Sequence, residues 1–179
     1  LPYRARILNA LGWVHGELQD FEPAISFNQR SLETAKAMPA TDSEVSSNGR
    51  LNLGDDYLAL GRLDEAEEQY RIVERIVRQP TPQERWILWS YSQHFFHSFG
   101  ELWLARGDAA QALSLADECI ALAERTGRRK NIVKGRRLRA QALLALEPGL
   151  ETQRHRLARQ QDDVRLCVDA CQLRVRVGD

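Results

Sequence analysis

Apolar residues recur three and four positions apart over most of the chain, as in Leu8, Leu11 and Leu18 around His15, and Leu53, Tyr57 and Leu60. An α-helix turns once in about 3.6 residues, so this spacing gathers them on one face. Sustained two-residue alternation is missing, and the Asn48-Gly49 pair lies inside a helical pattern rather than between β-branched runs. The pattern predicts an all-helical chain. Breaks near Leu18–Asp20, Met38–Ala40, Gly61, Gln79-Pro80, Gly107, Gly127 and Pro148-Gly149 divide it into about eight helices in four pairs. Thr41-Asp42-Ser43-Glu44 and Thr81-Pro82-Gln83-Glu84 each fit a capping box, in which the Thr side chain takes one amide and the Glu reaches back to another. Pro82 suits a first helical position, where its missing N–H would have had no partner.

The pairs repeat. In "LNLGDDYLALGRLDEAEEQY" (51–70), Leu53-Gly54, Tyr57, Gly61, Ala66 and Tyr70 are set at intervals that recur elsewhere. Counterparts are Leu11-Gly12, His15, Gln19, Ala24 and Asn28 before it, and Phe99-Gly100, Trp103, Gly107, Ala112 and Ala116 after it. A fourth, partial copy runs Leu138-Arg139, Ala142 and Leu146. Gly and Ala let two antiparallel helices approach closely, the neighbouring Leu and aromatic fill the remaining space, and the turn Gly accepts backbone angles costly to other residues. One such pair cannot bury its apolar face, so pairs stack and share a core.

These residues resemble a tetratricopeptide repeat. The anchors lie 42, 46 and 39 residues apart (Leu11 to Leu53, to Phe99, to Leu138), whereas the common unit is about 34. The longer spacing resembles the kinesin-light-chain type and the repeat tails of bacterial multidomain signalling ATPases, nucleotide cyclases and large transcription regulators. The resemblance implies a right-handed α-α superhelix, a solenoid of about four hairpins over 1–146 (approximately 1–38, 42–79, 81–126 and 128–146 onward). Residues 147–179 depart from it: an irregular second helix, a truncated unit or, as favoured here, a capping helix.

In that family the first helix of each pair lines the concave surface. The corresponding positions here are Arg6, Asn9 and Trp13; Asn48, Asn52 and Asp55; His94, His97 and Glu101; and Arg136 and Arg137. Asparagines just before the Leu anchor hold the main chain of an extended peptide in the kinesin-light-chain type, and Asn9 and Asn52 occupy comparable places singly rather than as an adjacent pair. An amide offers both donor and acceptor to a backbone, and Arg136 and Arg137 can fork onto a carboxylate. The plain alternative is that these polar groups only solvate a groove.

Other chemistry is thin. His94, His97 and Glu101 share a helical face with spacing a metal could use, but the zinc-helix order His-Glu-x-x-His is absent and no metal is expected. Trp86, Trp89, Tyr91, Phe95, Phe96, Phe99 and Trp103 crowd one segment on several faces, as a helix covered on both sides would require. Trp86 or Trp89 is the expected exposed ring. The segment 125–139 holds eight basic residues and no acidic one, balanced by the acidic stretch at 55–68. Formal net charge is zero, so no general attraction to nucleic acid is expected. Cys119, Cys167 and Cys171 form no disulfide framework. Without a transmembrane run or signal peptide the expected setting is cytoplasmic, and the missing initiator Met suggests a piece of a longer protein. No phosphate loop, nucleophile triad or carboxylate pair emerges. The expectation is a non-catalytic protein–protein interaction module or scaffold without cofactor, binding an extended peptide or partner domain, including one of its own parent signalling protein. The alternative is a self-associating or ligand-sensing segment of such a protein.

Overall fold

The computed structural model describes residues 2–36, 43–82 and 84–147. Among these residues it is all-helical: α1 (Pro2–Glu17), α2 (Phe21–Lys36), α3 (Ser43–Ala59), α4 (Leu63–Arg78), α5 (Arg85–Ala105), α6 (Ala109–Arg125) and α7 (Arg129–Leu146). The first capping box, the proposed cap at 147–179 and Cys167 and Cys171 lie outside the described residues. Contacts divide the chain after Ala142. Beyond that point the described residues carry the end of α7, where the Glu147 amide closes on the Leu143 carbonyl at 3.0 Å.

From α1 to α6 each helix packs on its neighbours in sequence, and α3 also touches α1 and α5; α7 meets α6 at Gly135, where a Cβ would stand 2.8 Å from Ile120. Four joints share one geometry. Gln19, Gly61, Gly107 and Gly127 all have positive φ, between 61° and 85°. The following amide then reaches back five residues: Asp20 to His15, Arg62 to Tyr57, Asp108 to Trp103 and Arg128 to Ala123, each at 2.9 Å. This 6→1 bond satisfies carbonyls that a helix end would otherwise leave open. Asp108 then caps α6 by accepting from the Gln111 amide at 2.9 Å.

The second capping box forms by half. Glu84 accepts the Thr81 amide at 2.9 Å, as expected. Pro82, however, precedes the helix, because α5 begins at Arg85 with Glu84 as its cap.

A continuous apolar core joins α2 to α6, with Leu32, Leu51, Leu53, Tyr70, Val73, Phe95, Phe99, Leu102 and Leu115 among its members. Removing each such side chain from water is worth roughly 1.5–3 kcal/mol. Close approach depends on Gly54, where a Cβ would stand 2.5 Å from Tyr70 Cε1. Phe99 carries the core onward, its ring centroid 5.8 Å from Tyr70 and 5.2 Å from Phe95. As the crowded sequence implied, Phe95, Phe96 and Phe99 are buried while Trp86 and Trp89 stay exposed.

Candidate functional site: a groove along α1, α3 and α5

The contacts of α3 with both α1 and α5 bring the first helices of three successive pairs side by side. Arg6, Asn9, Ala10 and Trp13 of α1, Val45 and Asn48 of α3, and Tyr91 of α5 line a pocket of about 290 Å³. Trp13 also walls a second pocket, of about 120 Å³, with Gly16, Glu17, Phe21, Asn52, Asp55 and Asp56. The two adjoin at one indole. Its Nε1 donates to Glu17 at 3.2 Å, which fixes the ring, yet Trp13 is 53% exposed.

Beneath this surface runs a ladder of amides, buried at Asn9 and Asn28 and half-buried at Asn48. Asn48 donates to Asn9 at 2.6 Å, Asn9 to Asn28 at 3.2 Å, and Asn28 to Asp56 at 2.9 Å. Asn9 is therefore spent on structure, with both ends of its amide engaged inside the chain. Asn28 stands where the next pair has Tyr70, and its amide sits against Gly12. Burial pushes the Asp56 carboxyl up to about 7; the Asn28 bond opposes this shift and the charge of Asp55 adds to it.

Asn52 differs. It too is buried, but its Nδ2 has no hydrogen-bond partner and it lines the smaller pocket. An amide donor deprived of water and of a partner carries a free-energy cost that an acceptor entering the pocket would relieve.

Further along, the Tyr70 hydroxyl donates to Asp55 Oδ1 at 2.7 Å, and His94 Nε2 lies 2.6 Å from Asp55 Oδ2. Burial alone would raise the Asp55 carboxyl, but the charge and hydrogen bond of His94, with the Tyr70 hydroxyl, hold it below its ordinary value. The same burial, reinforced by Asp55, pushes the Tyr70 phenol well up. His97 is 3% exposed, and its Nε2 lies 3.5 Å from Glu101 without forming a hydrogen bond. Desolvation, then the charge of Lys134, lowers the imidazole to about 4, so it is neutral near pH 7. Glu101 is raised by its own burial although it accepts from Arg137 at 2.5 Å.

His94 thus engages Asp55, while His97 only lies near Glu101. Among the described residues no group of three or more His, Cys, Asp or Glu is arranged to hold a metal.

The structure therefore gathers Arg6, Asn9, Trp13 and Asn48 in one pocket, Trp13, Asn52 and Asp55 in the next, and joins His94 to Asp55. His97, Glu101 and Arg137 form a neighbouring chain. Arg136 does not join them: it turns to Glu124 of α6 at 3.1 Å, beside Arg139, which bonds Asp117 at 2.9 Å. Three of the eight basic residues of 125–139, Arg136, Arg137 and Arg139, thus pair with acids of α5 and α6 rather than with the acidic stretch at 55–68. Within that acidic stretch, Asp64 and Glu67 instead meet Arg106 at 2.6 and 2.9 Å.

Sequence reasoning missed Glu17, Asn28, Asp56 and Tyr91. A signal for Asn28 existed, since an amide in the slot of a core aromatic demands polar partners. Tyr91 was counted with the core aromatics and instead borders the larger pocket. Among the described residues no helix is long and apolar enough to cross a membrane. Compared with protein-family models, curated proteins and solved structures, the chain matches none.

Proposed function

We propose that this chain is a tetratricopeptide-like array of helical hairpins, stacked as a solenoid, that acts as a non-catalytic interaction module and binds an extended peptide segment along the groove of α1, α3 and α5. The observation that carries this reading is the unpartnered Asn52 Nδ2 in a pocket walled by the exposed Trp13. A peptide carbonyl is the acceptor such a donor lacks, and a rigid aromatic beside it is a common binding anchor. Trp13 and Tyr91 favour an apolar side chain in the larger pocket. Glu17 and Asp56 favour a basic one in the smaller. The segment would come from a partner protein or, as the resemblance to signalling-protein tails suggests, from another domain of the parent.

The test is selection of binding peptides from a random display library, followed by titration of the selected sequences. Trp13→Ala should weaken binding at least tenfold while leaving the helical circular dichroism and melting unchanged. Asn52→Leu, which removes the donor and keeps the bulk, should weaken it several-fold. Peptides that bind both variants as tightly as the parent chain would sink the reading. Asn9 is a poor probe, because its loss breaks the buried ladder whether or not a peptide binds.

A further inference from the structure

The smaller of the two groove pockets has a chemistry of its own. It lies between α1, the start of α2 and α3, where Glu17, Asp55 and Asp56 give it three carboxyl groups; among the described residues no lysine or arginine lines it. Each carboxyl already accepts a hydrogen bond within the chain: Glu17 from the Trp13 indole, Asp56 from the Asn28 amide and Asp55 from the Tyr70 hydroxyl. Those donors are neutral, so they orient the carboxyls without cancelling charge. His94, on Asp55, is the ionisable partner. Burial works to raise the Asp55 carboxyl, but His94 and Tyr70 hold it below its ordinary value, so it is charged near pH 7. Asp56, raised to about 7 chiefly by burial, is drawn toward its charged form by any cation that enters.

Two further features point to what enters. Asn52 is only 6% exposed, lines the same pocket and leaves its Nδ2 without a partner. That donor suits a main-chain carbonyl, not a cation. Trp13 adds an indole ring held by its bond to Glu17. Elsewhere the chain lays guanidinium groups over such rings, Arg62 over Tyr57 and Arg128 over Trp89, both at 4.5 Å. Among the described residues none lies over Trp13. Ring and carboxyls suit one and the same group, a cation on an aliphatic stem. The amide suits the backbone that carries it.

We propose that this pocket receives a lysine or arginine side chain of a segment from a partner protein, with the Asn52 amide donating to that segment's main chain. This rests on the peptide-groove reading above and narrows it. The larger pocket, with Trp13 and Tyr91, takes an apolar side chain of the same segment. On α1 both pockets fall between Arg6 and Glu17, a rise of about 16 Å at 1.5 Å per residue. Five residues of extended chain cover that length at about 3.3 Å each, and those sharing a face stand two or four apart. The ligand is therefore defined by an apolar and a basic residue at one of those spacings. An acidic residue in the second place would set like charges together.

Dodecapeptides selected from a random display library on the whole chain, then titrated singly, test this. Those that lose binding to Trp13→Ala should carry lysine or arginine two or four positions from an apolar residue. Replacing that lysine by norleucine, or that arginine by citrulline, should weaken binding about tenfold. Glu17→Gln removes a charge but keeps an acceptor for the Trp13 indole. In that chain, with its helical circular dichroism unchanged, the same replacement should cost only about threefold. Trp13-dependent peptides without a basic residue, tolerance of norleucine or citrulline, or an equal loss in the Glu17→Gln chain would each overturn the cation subsite and leave the groove standing. If no selected peptide depends on Trp13, the groove reading falls and the subsite with it.

Discussion

Gly12 and Gly54 stand at equivalent places in successive helix pairs, and each makes room for one side chain of the second helix. Under Gly12 that side chain is Asn28; under Gly54 it is Tyr70. From Asn28 a polar ladder spreads through Asn9, Asn48 and Asp56, whereas Tyr70 continues into Phe99, Phe95 and Leu102. One backbone arrangement thus supports two kinds of interior. The amide interior is stable only when every donor and acceptor is matched. The aromatic interior depends on volume and tolerates imperfect direction. The difference teaches where function can sit: a polar interior reaching the surface supplies directed groups such as Asn52, while the aromatic interior supplies rigidity.

The comparison breaks most sharply at its aromatic end. Phe99→Ala leaves a cavity at the junction of α4 and α5 and should cost about 4 kcal/mol, read as a lower denaturant midpoint. Asn28→Leu keeps the bulk but strands the Asn9 donor and the Asp56 carboxylate. At about 1–3 kcal/mol for each orphaned group, it should cost about 3 kcal/mol near pH 8. A neutral result there would mean that the ladder contributes no more than an apolar filler.

Asp56→Asn sharpens the polar side. The folded carboxyl titrates near 7 against an ordinary 3.8. A raised pKa contributes stability that is complete below the unfolded value and lost as pH rises through the folded one. The variant should therefore gain on the parent chain between pH 4 and 8, by on the order of 2 kcal/mol, in paired urea titrations. His97, lowered from 6.5 to about 4, contributes the opposite slope, stabilising above 6.5 and failing as pH falls toward 4. It is common to both chains, so the difference between them isolates Asp56.

The smallest expected effect lies at the joint within the polar pair, between α1 and α2. Gln19 holds a φ of 61°, where the three matching joints have glycine. Left-handed backbone costs a residue with a Cβ about 1 kcal/mol, so Gln19→Gly should raise stability by nearly that amount. No gain would show that the Gln side chain contributes at that joint.

Much of the helical plan was legible because it rests on local rules. Period-three-and-four spacing located the helices, and turn glycines located three of the joints. Gln19 was legible through its place in the repeat. Pro82 misled, since a proline acceptable inside a first turn is equally acceptable just before it. The site was legible in part. Counting from the Leu-Gly anchors found Trp13, Asn48, Asn52 and Asp55, whose side chains meet across helices. The count could not tell Asn9, engaged in the ladder, from Asn52, whose donor is left over. Nor could it see that Arg136 and Arg137, adjacent in sequence, diverge to Glu124 and Glu101: successive residues on a helix point about 100° apart, and only the neighbouring helices determine what each meets.

The sequence by itself determined the helices, their joints and the repeat that brings small residues under large ones, because these follow from hydrophobic period and backbone freedom. Tertiary structure alone decided which polar side chains are matched and which are left over. That choice depends on distances of a few tenths of an ångström between helices far apart in the chain, and it separates the amides that hold the fold from the buried, unpartnered Asn52 donor beside the smaller pocket.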